Sequence, residues 1–548
     1  VKQMTRRLFG TDGIRGLVVA PHADEEEALL ALHEQRVICP TLMRVVGEAL
    51  GRTMDTLAGE GTTVVVGWDN RPNNTELAAA LTLGLRLTGC HVIHAGLCAT
   101  PALHRATLAN NGRLGCMITA SHNPVSDSGL KVFDANGFKS SPEFEDHVST
   151  VTQALAAEER EIDDIEANEL MQPNEALDGS NDASVFHPAW LTQRHSDFCS
   201  LLGVEAFDAS MLANPFVLDS SKGAAHAWLA DWFTDQGIAT IEVSSKAEAL
   251  NLNCGAGDFS PTQTWTHEEA ASSPHLLLQN LKPAPLGTLV GAALDGDGDR
   301  CLVLRAIEDG YMVVDGDAMG DTILSAATSN SDAPWVLAAS IESDLSLLST
   351  VHRLSAQVSA VETAVGDRWL SKALGKTLVT QSTPPRCIGV EDSGHIVMAT
   401  RHPLTLEKWA LVGDGAATLT VFLLAFSCGH NDPHMTRGWK QRRSVKDVDR
   451  QRWSGSNELA DEVEALARAF FEQCGDVDSW DRHGLEGESN LMLVSLRLNG
   501  SPASLGIRNS GTQAKISVSL RLAPDIDASP MEALMENITA LLSSAMRI

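Results

Sequence analysis

The run Thr63-Val-Val-Val-Gly67 constrains this chain more than any other stretch. Consecutive β-branched residues with no polar alternation read as a strand buried on both faces. The Ala/Leu-rich stretch Leu77 to Leu87 follows at helical spacing, Gly89 stands where a helix C-cap is expected, and His91 to Ala95 is a second strand. Strand, helix and strand at this spacing form a βαβ unit, whose strands must run parallel under a crossover helix. The pattern continues through a helix at Arg105 to Gly112 and a strand that begins at Leu114. The first domain is therefore expected to be α/β with a mostly parallel sheet.

The same grammar recurs. Phe216 to Asp219 reads as a strand, Ser220 to Gly223 as a turn and Ala224 to Phe233 as a helix closed by Gly237. A third unit has a strand near Trp335 to Ala339 and a helix near Asp367 to Leu374. The last unit differs, with alternating strands across Leu491 to Leu522. The chain has 548 residues, enough for roughly three to four domains. The expected division is 1–187, 188–305, 306–428 and 429–548, with Gly429 to Arg443 as the last linker. Residues 22–36 read as an exposed helical insertion. Residues 155–182 carry ten acids and one base, Arg160, with no strand pattern, and read as an acidic surface helix and linker.

The charge balance, 71 acids against 41 bases, repels nucleic acid and anionic membranes. A small anionic substrate remains compatible with it, because a local basic cleft overrides the global field. None of the ten cysteines forms a C-x-x-C pair, and most sit in apolar runs as free thiols. That usage suits a reducing compartment. The N-terminus has no apolar signal core, and the run Ala416 to Phe426 is shorter than the roughly 18 residues a membrane helix needs. The expectation is a cytoplasmic protein with no membrane and no nucleic-acid partner.

Four stretches carry chemistry. In Leu114 to Lys131, LGCMITASHNPVSDSGLK, an apolar strand ends in a polar loop closed by Pro124. Loops at the carboxyl ends of strands are where open α/β sheets place their chemistry, so Ser121 is a hydroxyl on a rigid mount beside His122. In DGDGDR, Asp295, Asp297 and Asp299 alternate with Gly296 and Gly298, so the backbone can curl and bring three carboxylates onto one hard cation. An EF-hand is excluded, since Arg300 and Ala306 stand where that loop needs Gly and Glu. The site is incomplete alone and suits Mg²⁺ with an added phosphate oxygen. Asp315-Gly-Asp317 looks similar but follows a strand and precedes a helix, which makes it a turn and N-cap. Glu391, Ser393 and His395, at i, i+2 and i+4, would point to one side of an extended segment and suit sugar hydroxyls. Around Gly511, the hydroxyls of Ser510 and Thr512 with Arg508 and Lys515 make a phosphate cradle. Near the start, the Gly-rich loop of residues 9–16, FGTDGIRG, places Arg15 against a phosphate.

In this order, TASHNP (119–124), DGDGDR (295–300), EDSGH (391–395) and RNSGT (508–512) resemble the phosphoserine, metal, sugar and phosphate loops of the α-D-phosphohexomutases. FGTDGIRG is most similar to the bacterial phosphoglucosamine mutase branch. The resemblance implies three mixed-sheet α/β domains plus a C-terminal α+β domain around a central cleft. It implies a phosphoryl group carried on Ser121 and Mg²⁺ held by Asp295, Asp297, Asp299 and that phosphoserine. Lys131 and His122 would assist proton transfer, Lys131 being the stronger candidate, while Arg15 and Arg300 would steady the phosphoryl group.

The implied reaction interconverts glucosamine 6-phosphate and glucosamine 1-phosphate through a hexosamine 1,6-bisphosphate, in a monomer or homodimer. Two alternatives are a phosphomannomutase/phosphoglucomutase and a non-catalytic sugar-phosphate-binding homologue. The chain departs from the family pattern in Asn509, Gln513 and Ala514, where Pro, Glu and Pro are usual. It also departs at Val390, for the second Gly, and at Asp392, for the branch's Gln.

Overall fold

A computed structural model describes residues 7–22, 24–158, 164–428, 434–509 and 514–547. The strands assemble into four sheets. The first runs in the order Val37–Ile38, Ile14–Val18, Asp127–Asp134, Leu114–Ile118, Thr63–Trp68, His91–Leu97, Glu175–Ala176. Asp127–Asp134 is antiparallel to both of its neighbours, and the other pairings are parallel. Period-two alternation sends Val64 and Val66 into one core and Val65 into another. A strand buried on both faces explains the unbroken apolar run at Thr63 to Gly67.

The second sheet runs Thr264–Thr266, Gly310–Val314, Cys301–Ile307, Leu289–Leu294, Leu212–Asp219, Thr240–Glu242. The third runs Val358–Thr363, Trp335–Ser340, Cys387–Val390, Ile396–His402, Thr405–Gly413. These two share one apolar core, with Leu218, Leu294, Ala339 and Val390 all in it. The helix Gly415–Ser427 lies in that core, which accounts for its apolar run. No described helix is long and apolar enough to cross a membrane. The fourth sheet is antiparallel throughout, and the helices Glu458–Cys474 and Met531–Ala545 pack on it. The architecture is thus three mixed α/β units and a C-terminal α+β unit.

Several expectations need correction. The segment 22–36 is not an exposed insertion. Its helix Glu25–Gln35 buries Ala28, Leu29, Ala31 and Leu32 against the helices Pro40–Thr53 and Pro142–Ala156. The acidic stretch 155–182 does hold a strand, Glu175–Ala176, at the first sheet's edge. The linker expected to reach Arg443 gives way at Trp439 to a strand, Trp439–Lys446. The cut expected after 187 falls inside the helix Ala183–Leu202, and that after 305 falls inside the strand Cys301–Ile307. Hydrogen bonding carries the second sheet on to Val314.

Candidate active site

The strand Leu114–Ile118 delivers Ser121 to the cleft in a left-handed backbone conformation, φ +50°, which a non-glycine residue holds only where its surroundings enforce it. They do so here. The Ser121 N–H donates to Thr119 Oγ1 at 2.8 Å, and its carbonyl accepts from Arg71 Nη2 (2.8 Å) and Asn251 Nδ2 (2.7 Å). The buried Arg71 guanidinium also donates to the carbonyls of Asn123, Pro124 and Asp127, so one side chain grips the whole loop. Asp69 holds Arg71 at 3.1 Å and accepts from Thr119 Oγ1 and Asn74 Nδ2. Burial pushes the Asp69 carboxyl up to about 6, against the pull of Arg71. Sequence reading missed Arg71, Asp69 and Asn251. The usable signal was Asp69-Asn-Arg71 itself, two charges directly after a buried strand.

Arg15 Nη2 donates to Ser121 Oγ at 3.0 Å, and Ser121 Oγ donates to Asp297 Oδ2 at 3.4 Å. The aspartate loop joins the antiparallel strands Leu289–Leu294 and Cys301–Ile307, turning at Gly298 (φ +72°), where an L side chain would be strained. Asp295, Asp297 and Asp299 are buried, with ligand atoms within 4.8 Å of one another. One oxygen of each (Asp295 Oδ2, Asp297 Oδ1 and Asp299 Oδ1) has no hydrogen-bond partner among the described residues. Three buried, clustered carboxylates that each keep an unpartnered oxygen fit a hard divalent cation. The electrostatics agree. Burial, then the charges of Asp299 and Asp297, push the Asp295 carboxyl well above the usual range. Against the burial penalty, Lys131 holds Asp299 well below it, with His395, Lys139 and Arg300 behind. Asp295 is therefore the carboxylate that added positive charge would favour in its ionised form.

Lys131 is fully buried and donates at 2.6 Å to both Asp297 Oδ2 and Asp299 Oδ2. Burial pulls its ammonium down, but Asp12, Asp297 and Asp299 outweigh that and hold it well above the ordinary lysine value. His122 goes the other way. Burial, with Arg300 and Arg15, draws its imidazole down to about 3, so it is neutral at neutral pH. Thr100 fixes the metal loop from the first unit, its Oγ1 donating to Asp297 Oδ2 at 2.5 Å.

A cavity of about 520 Å³ opens beside Ser121, lined by Arg15, Asn123, Arg300, Asp367, Glu391 and His395 among others. Glu391 and His395 come from the connection between Cys387–Val390 and Ile396–His402. This is a tight hairpin turn rather than the extended segment expected, with Glu391 N donating to the His395 carbonyl. The turn buries Glu391 and His395 at the cavity and leaves Ser393 off its lining. Glu391 Oε1 accepts from Gly366 N at 2.7 Å, and His395 Nε2 stands 3.4 Å from Asp367 Oδ2. Lys139, also missed in sequence, bridges Asp367 and Asp12. Asp315 caps a helix as expected, its side chain accepting from Ala318 N.

A second cavity, about 890 Å³, shares Gly10, Thr11 and Val365 with the first and extends the cleft to the last unit. There Arg508 donates to Glu488 Oε1 (3.2 Å) and Glu342 Oε1 (3.0 Å). The expected cradle residues Ser510, Gly511 and Thr512 lie outside the described residues.

Residues 6–159 match the family model "Phosphoglucomutase/phosphomannomutase, alpha/beta/alpha domain I". Phosphoglucosamine mutase of Nocardia farcinica is 30% identical over 75% of this chain and 78% of its own length. That of Cereibacter sphaeroides is 28% identical over 99% of this chain and 100% of its own. Among solved structures, a phosphoglucomutase/phosphomannomutase family protein from Burkholderia thailandensis superposes with a TM-score of 0.59 at 17% identity, covering 98% of this chain and 97% of its own. The open form of the phosphoglucomutase pp63/parafusin from Paramecium gives 0.60 at 18%, covering 99% and 96%. The fold, the buried carboxylate triad beside Ser121 and these similarities establish that the chain belongs to the α-D-phosphohexomutases, a family of isomerases that shift a phosphoryl group within a sugar phosphate. Within that family, the two curated relatives named above are both phosphoglucosamine mutases.

Proposed function

We propose that the chain interconverts glucosamine 6-phosphate and glucosamine 1-phosphate in the cytoplasm, with Ser121 as phosphoryl carrier. One observation carries the reading. Ser121 Oγ lies against both the Arg15 guanidinium and the edge of a buried, clustered triad of aspartates. Asp295, Asp297 and Asp299 would hold Mg²⁺. When bound, that ion offsets charge on the transferring phosphoryl group.

The remaining work falls to the chain's own groups. Phosphorylated Ser121 faces a hydroxyl of the bound sugar phosphate. The sugar oxygen forms the new O–P bond, the Ser121 Oγ–P bond breaks, and a hexosamine 1,6-bisphosphate results. His122, next to Ser121 in the chain, assists the transfer of the hydroxyl proton. The Lys131 ammonium shares Asp297 Oδ2 with Ser121 and is the group able to return a proton to Oγ. Arg15 and Arg300 hold phosphoryl oxygens. Glu391 and His395, fixed by Gly366 and Asp367, hold sugar hydroxyls, while Arg508 and the residues after it hold the distal phosphate. After the bisphosphate reverses in the cleft, the same steps run backward with the other phosphate.

Intact-mass measurement should find one phosphoryl group on Ser121 that is discharged by glucosamine 6-phosphate. A panel of hexose phosphates with Mg²⁺ should show turnover highest on the glucosamine phosphates. Preference for mannose or glucose phosphates overturns the substrate, and absence of a dischargeable phosphoserine overturns the chemistry.

A further inference from the structure

Three arginines line the cavity beside Ser121: Arg15, Arg36 and Arg300. Arg15 is paired with Asp12, and Arg300 stands 3.9 Å from Asp295. Arg36 is different. Its one described side-chain hydrogen bond runs from Nη2 to the backbone carbonyl of Arg15, at 2.9 Å, and among the described residues no carboxylate forms an ion pair with it. A half-buried guanidinium that gives only one of its five N–H groups to a neutral carbonyl keeps most of its donors for a ligand. Burial alone pulls its pKa below the usual arginine value, with no acid to raise it.

The backbone fixes Arg36 in place. It caps the helix Glu25–Gln35 in the left-handed region (φ 54°, ψ 45°), its N–H reaching the carbonyls of Ala31 and Leu32. Its carbonyl accepts from Leu17 N at 2.9 Å. That approach is open only because Gly16 lacks a side chain, since a Cβ there would lie 2.3 Å from the Arg36 oxygen. A left-handed arginine is an uncommon choice at a position that glycine or asparagine fills at lower cost. The side chain therefore has a reason to be there beyond capping.

We infer that Arg36 is a phosphate-binding residue of the cleft, holding oxygens of a phosphomonoester dianion on the bound sugar phosphate next to Arg15. The inference rests on the proposed mutase reading and adds a third guanidinium, beside Arg15 and Arg300, to the phosphoryl end. The helix Glu25–Gln35, packed into the first unit through Ala28, Leu29, Ala31 and Leu32, is the mount for this residue. During reversal of the bisphosphate, a cation outside the metal loop and free of carboxylates can hold one phosphate while the other is exchanged.

The test uses the full chain and two variants. Arg36→Asn keeps a residue that tolerates the left-handed cap and removes the charge, and Arg36→Lys keeps the charge and loses the fork. Calorimetric titration with glucosamine 6-phosphate, glucosamine and inorganic phosphate is run beside steady-state kinetics. Arg36→Asn should weaken glucosamine 6-phosphate roughly 10- to 100-fold, as expected for a lost charge-assisted pair, and raise KM with little change in kcat. Glucosamine affinity and the thermal midpoint should not move, and Arg36→Lys should recover part of the loss. Unchanged glucosamine 6-phosphate affinity and KM in Arg36→Asn overturn the inference while leaving the mutase reading intact. An equal loss of glucosamine affinity overturns it too, because the effect would then be structural. If the wild type turns over no hexose phosphate but its inorganic-phosphate affinity still depends on Arg36, the mutase reading falls and the anion site stands. Should Arg36→Asn fail to fold, Arg36→Lys decides alone: weaker phosphate binding at an unchanged midpoint supports the site, and wild-type binding overturns it.

Discussion

At the Ser121 end of the cleft, Arg71 and Lys131 are buried, one locked to a loop's carbonyls and the other to two aspartates. At the Arg508 end, the charged groups are half-buried and paired with one another. Arg71 is 5% exposed and holds four carbonyls of one loop, while Lys131 is 2% exposed and holds two aspartates of another. The Arg508 side chain is 22% exposed and is shared between Glu342 and Glu488, which come from different units. The first arrangement is preorganised, so bonds need not rearrange when charge moves in the transition state. The second must exchange a carboxylate for a ligand, which suits a site that receives two different phosphates in turn.

The largest break in this comparison is chemical. Ser121→Ala should lower turnover by roughly 10⁴-fold or more, as loss of a covalent carrier does, while far-ultraviolet dichroism and the thermal midpoint stay close to wild type. Near-normal activity in a continuous coupled assay would remove Ser121 from the mechanism. Next comes stability. Arg71→Met strands Asp69 and the loop carbonyls in a buried site and should cost about 3–5 kcal/mol in urea unfolding. Arg508→Met should cost under about 1 kcal/mol, because its pairs are partly exposed. Equal costs would erase the distinction between the two ends. In kinetics, Arg508→Met should raise KM roughly 10- to 100-fold with kcat little changed if, as proposed, it holds the phosphate that does not react. A fall in kcat alone would move Arg508 into the chemical step.

A further test is a pH dependence. The His122 imidazole is drawn down to about 3 when folded, against an ordinary value near 6.5. Between these values the unfolded chain binds a proton that the folded chain refuses, so stability present above pH ~6.5 is lost as pH falls toward 3. His122→Gln should flatten the stability curve over that window relative to wild type. A curve of unchanged slope would mean that His122 titrates normally.

Much of the fold was legible because its signals are local. The runs at Thr63, Leu114 and Trp335 gave strands, and the stretch before Gly89 gave a helix, since burial on two faces or one imprints a period on consecutive residues. The Asp295 loop was legible because like charges at spacing two have few other uses. The segment 22–36 misled because its acidic residues outnumber the four that its helix buries. The hairpin at Glu391 misled because a turn and an extended segment share the same polar composition.

Taken alone, the sequence determined the α/β grammar and the alternating strands of the last unit, and it singled out Ser121, the three aspartates and Arg15 as candidates for the chemistry. These are short-range properties, written in the order of a few neighbours. Only the tertiary structure decided that Arg71 and Asn251 hold the serine loop from two different units, and that Lys139 ties Asp12 to Asp367. It also set the surroundings that hold the Lys131 pKa well above the ordinary lysine value and draw that of His122 down to about 3. A charge state is set by burial and by neighbours far along the chain, and no local pattern encodes either.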